Sequence, residues 1–161
     1  MSVRKRPASL IGSAALAGLL AVGLGACSDD EPERDETGQV TEGGDESVFD
    51  VEVGDCIDST TEAGQVDSLP LVPCDEPHDG EIYHTYQVPG DEFPGDFTQV
   101  TEEQCGGAFA DFVGVPYDQS ELVYSTLEPT AGSWEQGDRE LVCIIADPAG
   151  QTTGSLEGAN R

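Results

Sequence analysis

The chain contains very little positive charge. Six of its 161 residues are lysine or arginine, whereas 33 are aspartate or glutamate, and the formal net charge at pH 7 is −27. Phosphate backbones and anionic lipid head groups repel a protein of this charge. The composition therefore argues against nucleic acid as a partner and against a membrane contact made through basic side chains.

A membrane-spanning stretch is also missing. The apolar run at residues 10–24 is interrupted by Ser13 and by several glycines. It is shorter than the ~20 consecutive apolar residues that a spanning helix requires. A retained transmembrane anchor is therefore the weaker of two interpretations of the N-terminus.

Recognisable catalytic motifs are absent too. The sequence has no G-x-S-x-G nucleophile motif, no marked pair of glycosidase carboxylates and no repeated C-x-x-C or H-x-x-x-H pattern. We predict no catalytic, cofactor-binding or metal-binding residues. Two alternatives stay open: His78 and Glu81 as the acid–base residues of a cell-wall hydrolase, and a small-ligand or metal site that uses Cys74 and His78.

The N-terminus does contain an export signal. Basic residues 4–6 precede the apolar run, which ends in Leu24-Gly25-Ala26-Cys27. A charged segment, an apolar core and small residues at a cleavage site define a secretory signal peptide. The terminal cysteine makes the stretch resemble the lipobox of bacterial lipoproteins. That resemblance implies that residues 1–26 are removed and that Cys27 carries a diacylglyceryl lipid on the extracytoplasmic face of the membrane.

The remaining chain divides into three parts. Without residues 1–26 it keeps three basic residues against all 33 acidic ones, which gives a net charge of −30. After Cys27, residues 28–47 are polar, acidic and contain one apolar residue, Val40, so we predict that residues 27–47 form a disordered tether. Residues 48–148 form the folded domain, and the polar, glycine-rich residues 149–161 form a flexible tail.

Hydrophobic periodicity predicts an α+β domain with about five strands, mainly antiparallel, and one helix across a face of the sheet. Alternating apolar residues indicate strands at residues 49–53, 69–72, 81–88, 122–127 and 141–146. In the third strand, Ile82 and His84 are expected on the same apolar face. Thr101 and Gln104 form a capping-box pattern before a helix with an apolar stripe that ends at Gly114.

Four cysteines remain once Cys27 is assigned to lipid. An even number of cysteines in an exported domain of this size indicates two disulfides, with three possible pairings. We favour Cys56–Cys74 with Cys105–Cys143, because each pair then joins neighbours in the predicted layout. The first links the ends of two strands, and the second links the buried stripe of the helix to the last strand.

Several motifs occur together in the chain: G-D-C at residues 54–56, V-P-C-D-E-P-H-D-G-E at 72–81, Cys105, W-E-Q-G-D-R at 134–139, Cys143 and a tail segment G-S-L-E-G at 154–158. In combination they resemble one family, the septum-formation-related domain of actinobacterial envelope proteins. The resemblance implies an exported, membrane-attached domain associated with cell division, and it transfers no catalytic residues.

These features lead to one functional hypothesis. The protein is expected to be a lipid-anchored, non-catalytic binding or scaffold module of the cell envelope. Its partners are expected to be the membrane, through the lipid on Cys27, and envelope or division proteins or the cell wall. The candidate functional residues are His78, Glu81, Trp134 and Arg139. We expect structural roles for them: a local hydrogen bond for His78, turn packing for Trp134 and a carboxylate partner for Arg139.

Overall fold

The computed structural model describes residues 31–58 and 67–161. The predicted signal peptide and Cys27 lie outside these residues. Within the described ranges, no helix is both long and apolar enough to cross a membrane.

A six-stranded antiparallel sheet forms the centre of the fold, with the strand order β3-β5-β4-β6-β8-β7. A separate two-stranded hairpin, β1-β2, precedes it. The strands are β1 Glu33–Arg34, β2 Val40–Glu42, β3 Gly44–Ser47, β4 Cys56–Ile57, β5 Ser68–Val72, β6 Gly80–Gln87, β7 Val123–Leu127 and β8 Glu140–Ala146. With one main helical segment and two disulfides, this architecture confirms the predicted α+β class.

The interior of the sheet follows from hydrophobicity. Residues 141–145 of β8 are all buried, because this strand lies between β6 and β7 and both of its faces are covered. A strand that is apolar on both faces requires such an interior position. The predicted strands at 69–72, 81–88, 122–127 and 141–146 are confirmed to within one or two residues.

The main helical segment lies across one face of the sheet. It runs through α1 Thr98–Thr101, a π-helical turn Glu102–Gly106 and α2 Gly107–Val113. Cys105, Phe109 and Val113 are fully buried on its inner side. The helix ends at Gly114, whose φ of 92° is left-handed, as glycine allows at this position.

The predicted capping box at Thr101 is wrong. The helix begins three residues earlier, and the Thr101 hydroxyl bonds to the carboxylate of Glu128 instead. The side chain of Asp96 accepts a hydrogen bond from the backbone N–H of Thr98 at 2.9 Å, which gives the N-terminus of the helix a side-chain partner. The hydrogen bonds from Thr98 lower the pKa of Asp96. A capping box does occur at Thr130, where it opens the short helix α3, Ala131–Glu135.

Two predictions about the strands fail because of local geometry. Residues 49–53 form a loop in which Val51 is buried while Phe49 and Val53 are exposed. In β6, the pairing register with β8 shifts after Ile82. The bulge places Ile82 opposite Ile144 of one core cluster but His84 opposite Cys143 of the other. The prediction that Ile82 and His84 share one face is therefore wrong.

The predicted disordered tether is also wrong for its described part. Residues 33–47 form β1, β2 and β3, and β3 pairs with β5 along the edge of the sheet. Composition alone favoured disorder, yet a strand can be fixed by hydrogen bonds to an existing sheet edge, which composition does not report.

Both predicted disulfides are present. Cys56 and Cys74 have a Cα–Cα distance of 5.3 Å, and Cys105 and Cys143 one of 5.6 Å. The first joins β4 to the end of β5, and the second joins the π-helical turn to β8. The favoured pairing is therefore confirmed.

Candidate functional site

His78 is completely buried beneath the C-terminal segment. Its backbone N–H and C=O both pair with Thr152 at 2.9 Å. Its Nδ1 lies 2.9 Å from the carbonyl oxygen of Glu76, and its Nε2 lies 3.1 Å from the hydroxyl of Thr152. Since a carbonyl only accepts, Nδ1 donates its proton to Glu76, and Nε2 shares a hydrogen bond with the hydroxyl of Thr152. Every polar atom of the side chain is occupied.

Glu81 is buried in the same contact, with 1% of its surface exposed. One carboxylate oxygen accepts from the hydroxyl of Ser155 and the other from the backbone N–H of Leu156, each at 2.6 Å. Burial raises the pKa of Glu81, and the two hydrogen bonds and the nearby His78 oppose that rise. The carboxylate therefore holds the C-terminal segment in place.

The predicted flexible tail is consequently wrong. Leu156 is buried in the core cluster that contains Phe109 of the main helical segment. The backbone N–H groups of Gly158 and Asn160 donate to the carbonyls of Phe112 and Val113. These carbonyls belong to the last turn of α2, which a helix leaves without internal partners. The tail thus packs beside His78 and Glu81 and caps the helix.

A metal site is not formed at this position. Among the described residues, Cys56, Cys74 and Glu81 place one ligand atom each within 4.8 Å of one another. Both sulfur atoms are bonded to each other in the disulfide, however, whereas a cysteine binds metal as a thiolate. The alternative that uses Cys74 and His78 also fails because the His78 ring nitrogens are already engaged.

Asp55 of the G-D-C element fixes the N-terminal hairpin. Its two carboxylate oxygens accept from Arg34 at 2.6 and 2.9 Å, and one of them also accepts the backbone N–H of Glu52. Such two-point contacts between a guanidinium and a carboxylate are strong and directional. The hydrogen bonds from Arg34 to Asp55 raise the pKa of the guanidinium despite partial burial.

Trp134 and Arg139 form a second structural cluster. The guanidinium carbon of Arg139 lies 3.7 Å from the centre of the Trp134 ring. Arg139 donates to the carbonyls of Trp134, Asp138 and Gly90, so the expected carboxylate partner is wrong. The indole N–H donates to the carbonyl of Asp91 at 3.0 Å, which ties α3 to the loop before α1 and confirms the expected turn packing.

One open cleft lies on the opposite face of the sheet from the main helix. It has a volume of about 350 Å³ and lies among the loop after β3, the end of β7, α3 and β8. Val142 and Leu127 belong to its apolar lining, and Phe49 stands at it with 56% of its surface exposed. None of the four candidate functional residues, His78, Glu81, Trp134 and Arg139, lines this cleft, although Asp138 of the W-E-Q-G-D-R motif does.

The sequence matches the septum-formation family over residues 53–160. The chain belongs to the septum-formation family. The match extends through the C-terminal segment that packs on His78 and Glu81, and it begins after β3. Residues 31–52, which include Arg34 and Phe49, lie outside it.

Two curated relatives of this septum-formation domain are from strains of Mycobacterium tuberculosis, and both are described as uncharacterized membrane proteins. Each is 29% identical over 108 residues, which covers 59% of this chain and 24% of the relative. The chain thus spans about a quarter of the length of these relatives. No solved structure is significantly similar to it.

The geometry brings two of the family-like motifs into one contact. His78 and Glu81 of the P-H-x-x-E element bind the tail that contains Ser155 and Leu156. These motifs lie more than 70 residues apart but form one contact. The family-like motif at 154–158 was the sequence signal for this packing. The polar composition of the tail favoured a flexible segment instead and so concealed the packing.

Proposed function

We propose that this septum-formation domain is a lipid-anchored, non-catalytic binding module on the extracytoplasmic face of the membrane. The family match and the relatives' description as membrane proteins support an envelope role linked to septum formation. The lipobox-like N-terminus supports export and attachment through Cys27.

The observation that supports a non-catalytic role is the engagement of His78 and Glu81. A general acid or base must come within hydrogen-bonding distance of the group to which it transfers a proton. Both ring nitrogens of His78 and both carboxylate oxygens of Glu81 are instead bound to protein groups beneath the tail. Their roles are better explained by holding the fold together.

Attachment is tested by cell fractionation of the wild type and Cys27→Ser. The wild-type protein should be in the membrane fraction and gain mass from the lipid, whereas Cys27→Ser should keep its signal peptide or be released. A Cys27→Ser protein that is processed and membrane-bound like the wild type contradicts lipid anchoring.

The septal role is tested in cells that lack the protein. We expect delayed or misplaced septa, rescued by the wild-type gene, and enrichment of the protein at septa by immunofluorescence with an antibody. Uniform peripheral staining together with normal division would argue against this role.

The non-catalytic role has a separate test. Neither the purified wild type nor His78→Ala should digest peptidoglycan. The His78→Ala substitution should act on stability alone and lower the melting temperature. Digestion by the wild type that His78→Ala abolishes, while a Thr153→Ala control retains it, would establish the hydrolase instead.

A further inference from the structure

The open cleft is a part of the sheet face opposite the main helix that the described residues leave uncovered. On this face, the loop of residues 48–53 covers one side, with Val51 buried in the core beneath. Towards β7 and β8 that cover ends, and the cleft of about 350 Å³ remains between Phe49 and Leu127. Val142 lies at its base and is 2% exposed.

Phe49 gives the cleft an exposed apolar wall. More than half of its surface is accessible, although the neighbouring Val48 packs against the core cluster that contains Val51 and Val142. Exposed aromatic side chains next to an apolar depression are typical of binding surfaces, because they offer large contact area with few rotatable bonds.

The remaining lining is acidic. Asp67, Glu128, Asp138 and Glu140 contribute four carboxylates, and no lysine or arginine is among the described lining residues. Glu128 and Asp138 accept hydrogen bonds from neighbouring hydroxyls. The side chains of Asp67 and Glu140 make no hydrogen bond or ion pair with the described part of the chain. The cleft is therefore electrostatically complementary to a cation.

The strand at this cleft is an edge strand of the sheet. Among residues 31–58 and 67–161, β7 pairs with β8 alone, and its residues Thr126 and Leu127 line the cleft. An edge strand offers unpaired backbone groups to an extended peptide. A peptide can thus use three features together: backbone pairing, an apolar contact and positive charge.

The described residues of a second copy of this chain do not supply the charge. The described residues contain three basic side chains, and each is engaged within its own molecule: Arg34 with Asp55 and Glu46, Arg139 with backbone carbonyls, and Arg161 with Asp147. A complementary cation must therefore come from another protein.

We propose that the cleft binds an extended, basic segment of a partner protein. An arginine or lysine of that segment contacts Asp67 and Glu140, and a neighbouring apolar side chain packs against Phe49 and Leu127. The proposal gives the binding module of the preceding section its surface and the chemistry of its partner, and its biological meaning rests on that proposed function.

The test uses the processed, lipidated protein in micelles of an uncharged detergent. The probe is a fluorescently labelled heptapeptide in which arginine and leucine alternate, measured by fluorescence anisotropy. Asp67→Asn with Glu140→Gln should weaken binding about tenfold or more, since opposite charges that meet at a partly buried site interact strongly. Replacing the leucines of the peptide with glycine, or Phe49 with alanine, should weaken it by a similar factor.

The matched control is Asp118→Asn with Glu121→Gln, which removes the same charge from exposed residues outside the cleft. This variant should bind within about twofold of the wild type. Hydrogen exchange measured by mass spectrometry should show that the peptide protects β7 and the loop after β3.

Equal weakening by the cleft and control variants overturns the proposal, because binding would then reflect net charge alone. Absence of binding, or protection elsewhere on the surface, also overturns it. A peptide that binds the cleft of a protein without any septal phenotype would refute the septal role while leaving the binding site intact. A septal phenotype without peptide binding would refute the binding site while leaving the septal role intact.

Discussion

The most informative side chains are those that look reactive and are used for structure. His78 and Glu81 are an acid–base pair by residue type, yet they bind Thr152, Ser155 and Leu156 of the tail. A buried carboxylate that accepts two short hydrogen bonds is costly to leave without them. At this scale, the chemistry is that of a permanent internal contact.

Ser155→Ala tests the value of that contact. The substitution removes the hydroxyl that donates to Glu81 at 2.6 Å, and we expect a loss of about 1–3 kcal/mol in the free energy of unfolding because a buried carboxylate loses a donor. Thr153→Ala, at an exposed position in the same segment, should change stability little. Chemical denaturation measures both, and equal effects of the two variants would contradict the assigned role.

The pH dependence of stability should report Glu81. Because burial raises its pKa in the folded state above the ordinary value of 4.5, the folded protein binds the proton more tightly than the unfolded chain. Its contribution to stability is therefore largest at low pH and is lost as the pH rises through the folded-state pKa. The free energy of unfolding of the wild type, minus that of Glu81→Gln, should decrease from acidic to neutral pH. A difference that does not change with pH contradicts this prediction.

Arg139→Lys tests the cluster around the single tryptophan. Lysine keeps the charge but loses the planar group that stacks on Trp134 and donates to several carbonyls. We expect a loss of about 1–2 kcal/mol and a red shift of the Trp134 emission. Arg161→Lys is the control, because its pair with Asp147 is exposed and such pairs contribute little. Unchanged emission in Arg139→Lys would count against the stacking.

At the scale of elements, long-range pairing decides what local pattern cannot. The strands at 81–88 and 141–146 were predictable because their apolar residues are numerous and regular. Residues 44–47 were not, since G-D-E-S has no strand pattern and is held by pairing with β5. The alternation at 49–53 was misleading because only Val51 reaches the core. The open cleft was unpredictable for the same reason, as its lining comes from segments distant in sequence.

The hairpin β1-β2 should depend on the Arg34–Asp55 contact. Arg34→Gln leaves the nearly buried carboxylate of Asp55 without its cation, and we expect a loss of about 2–3 kcal/mol. In a background of Asp55→Asn the same change should have much less effect, which gives a coupling of about 1–3 kcal/mol in a double-mutant cycle. Glu46→Gln, whose contact is 3.5 Å long, is the control. Equal losses in both backgrounds would show that the pair does not hold the hairpin.

For the whole molecule, each disulfide cross-links two separate elements of the fold. Cys105–Cys143 joins the helical segment to β8. Cys56–Cys74 joins β4 to the loop between β5 and His78. The pairing was predictable because the cysteines lie in elements that neighbour one another. The polar composition of the tail concealed that it closes the fold, because apart from Leu156 and Ala159 its contacts are made by backbone groups and small polar side chains.

Removal of each disulfide should lower stability by a different amount. The cross-links join residues 18 and 38 positions apart, and restriction of the unfolded chain gives about 3 and about 4 kcal/mol, respectively. Thermal unfolding of Cys56→Ser/Cys74→Ser and Cys105→Ser/Cys143→Ser tests this order. Alkylation of the unreduced, unfolded wild type should leave its mass unchanged at these cysteines, and four labelled thiols would refute the cross-links.

The folding of residues 33–47 also changes how far the protein reaches. A free chain of 20 residues has an average end-to-end distance of about 25 Å, which would separate the domain from its attachment point by that distance. With β1 beginning at Glu33, five residues separate the folded part from the proposed lipid on Cys27, and even fully extended they span at most about 18 Å. In the proposed arrangement, the lipid therefore keeps the domain, and any partner that it binds, nearer to the membrane than a 20-residue tether would. Encounters would be confined to a thin layer, where both molecules search in two dimensions.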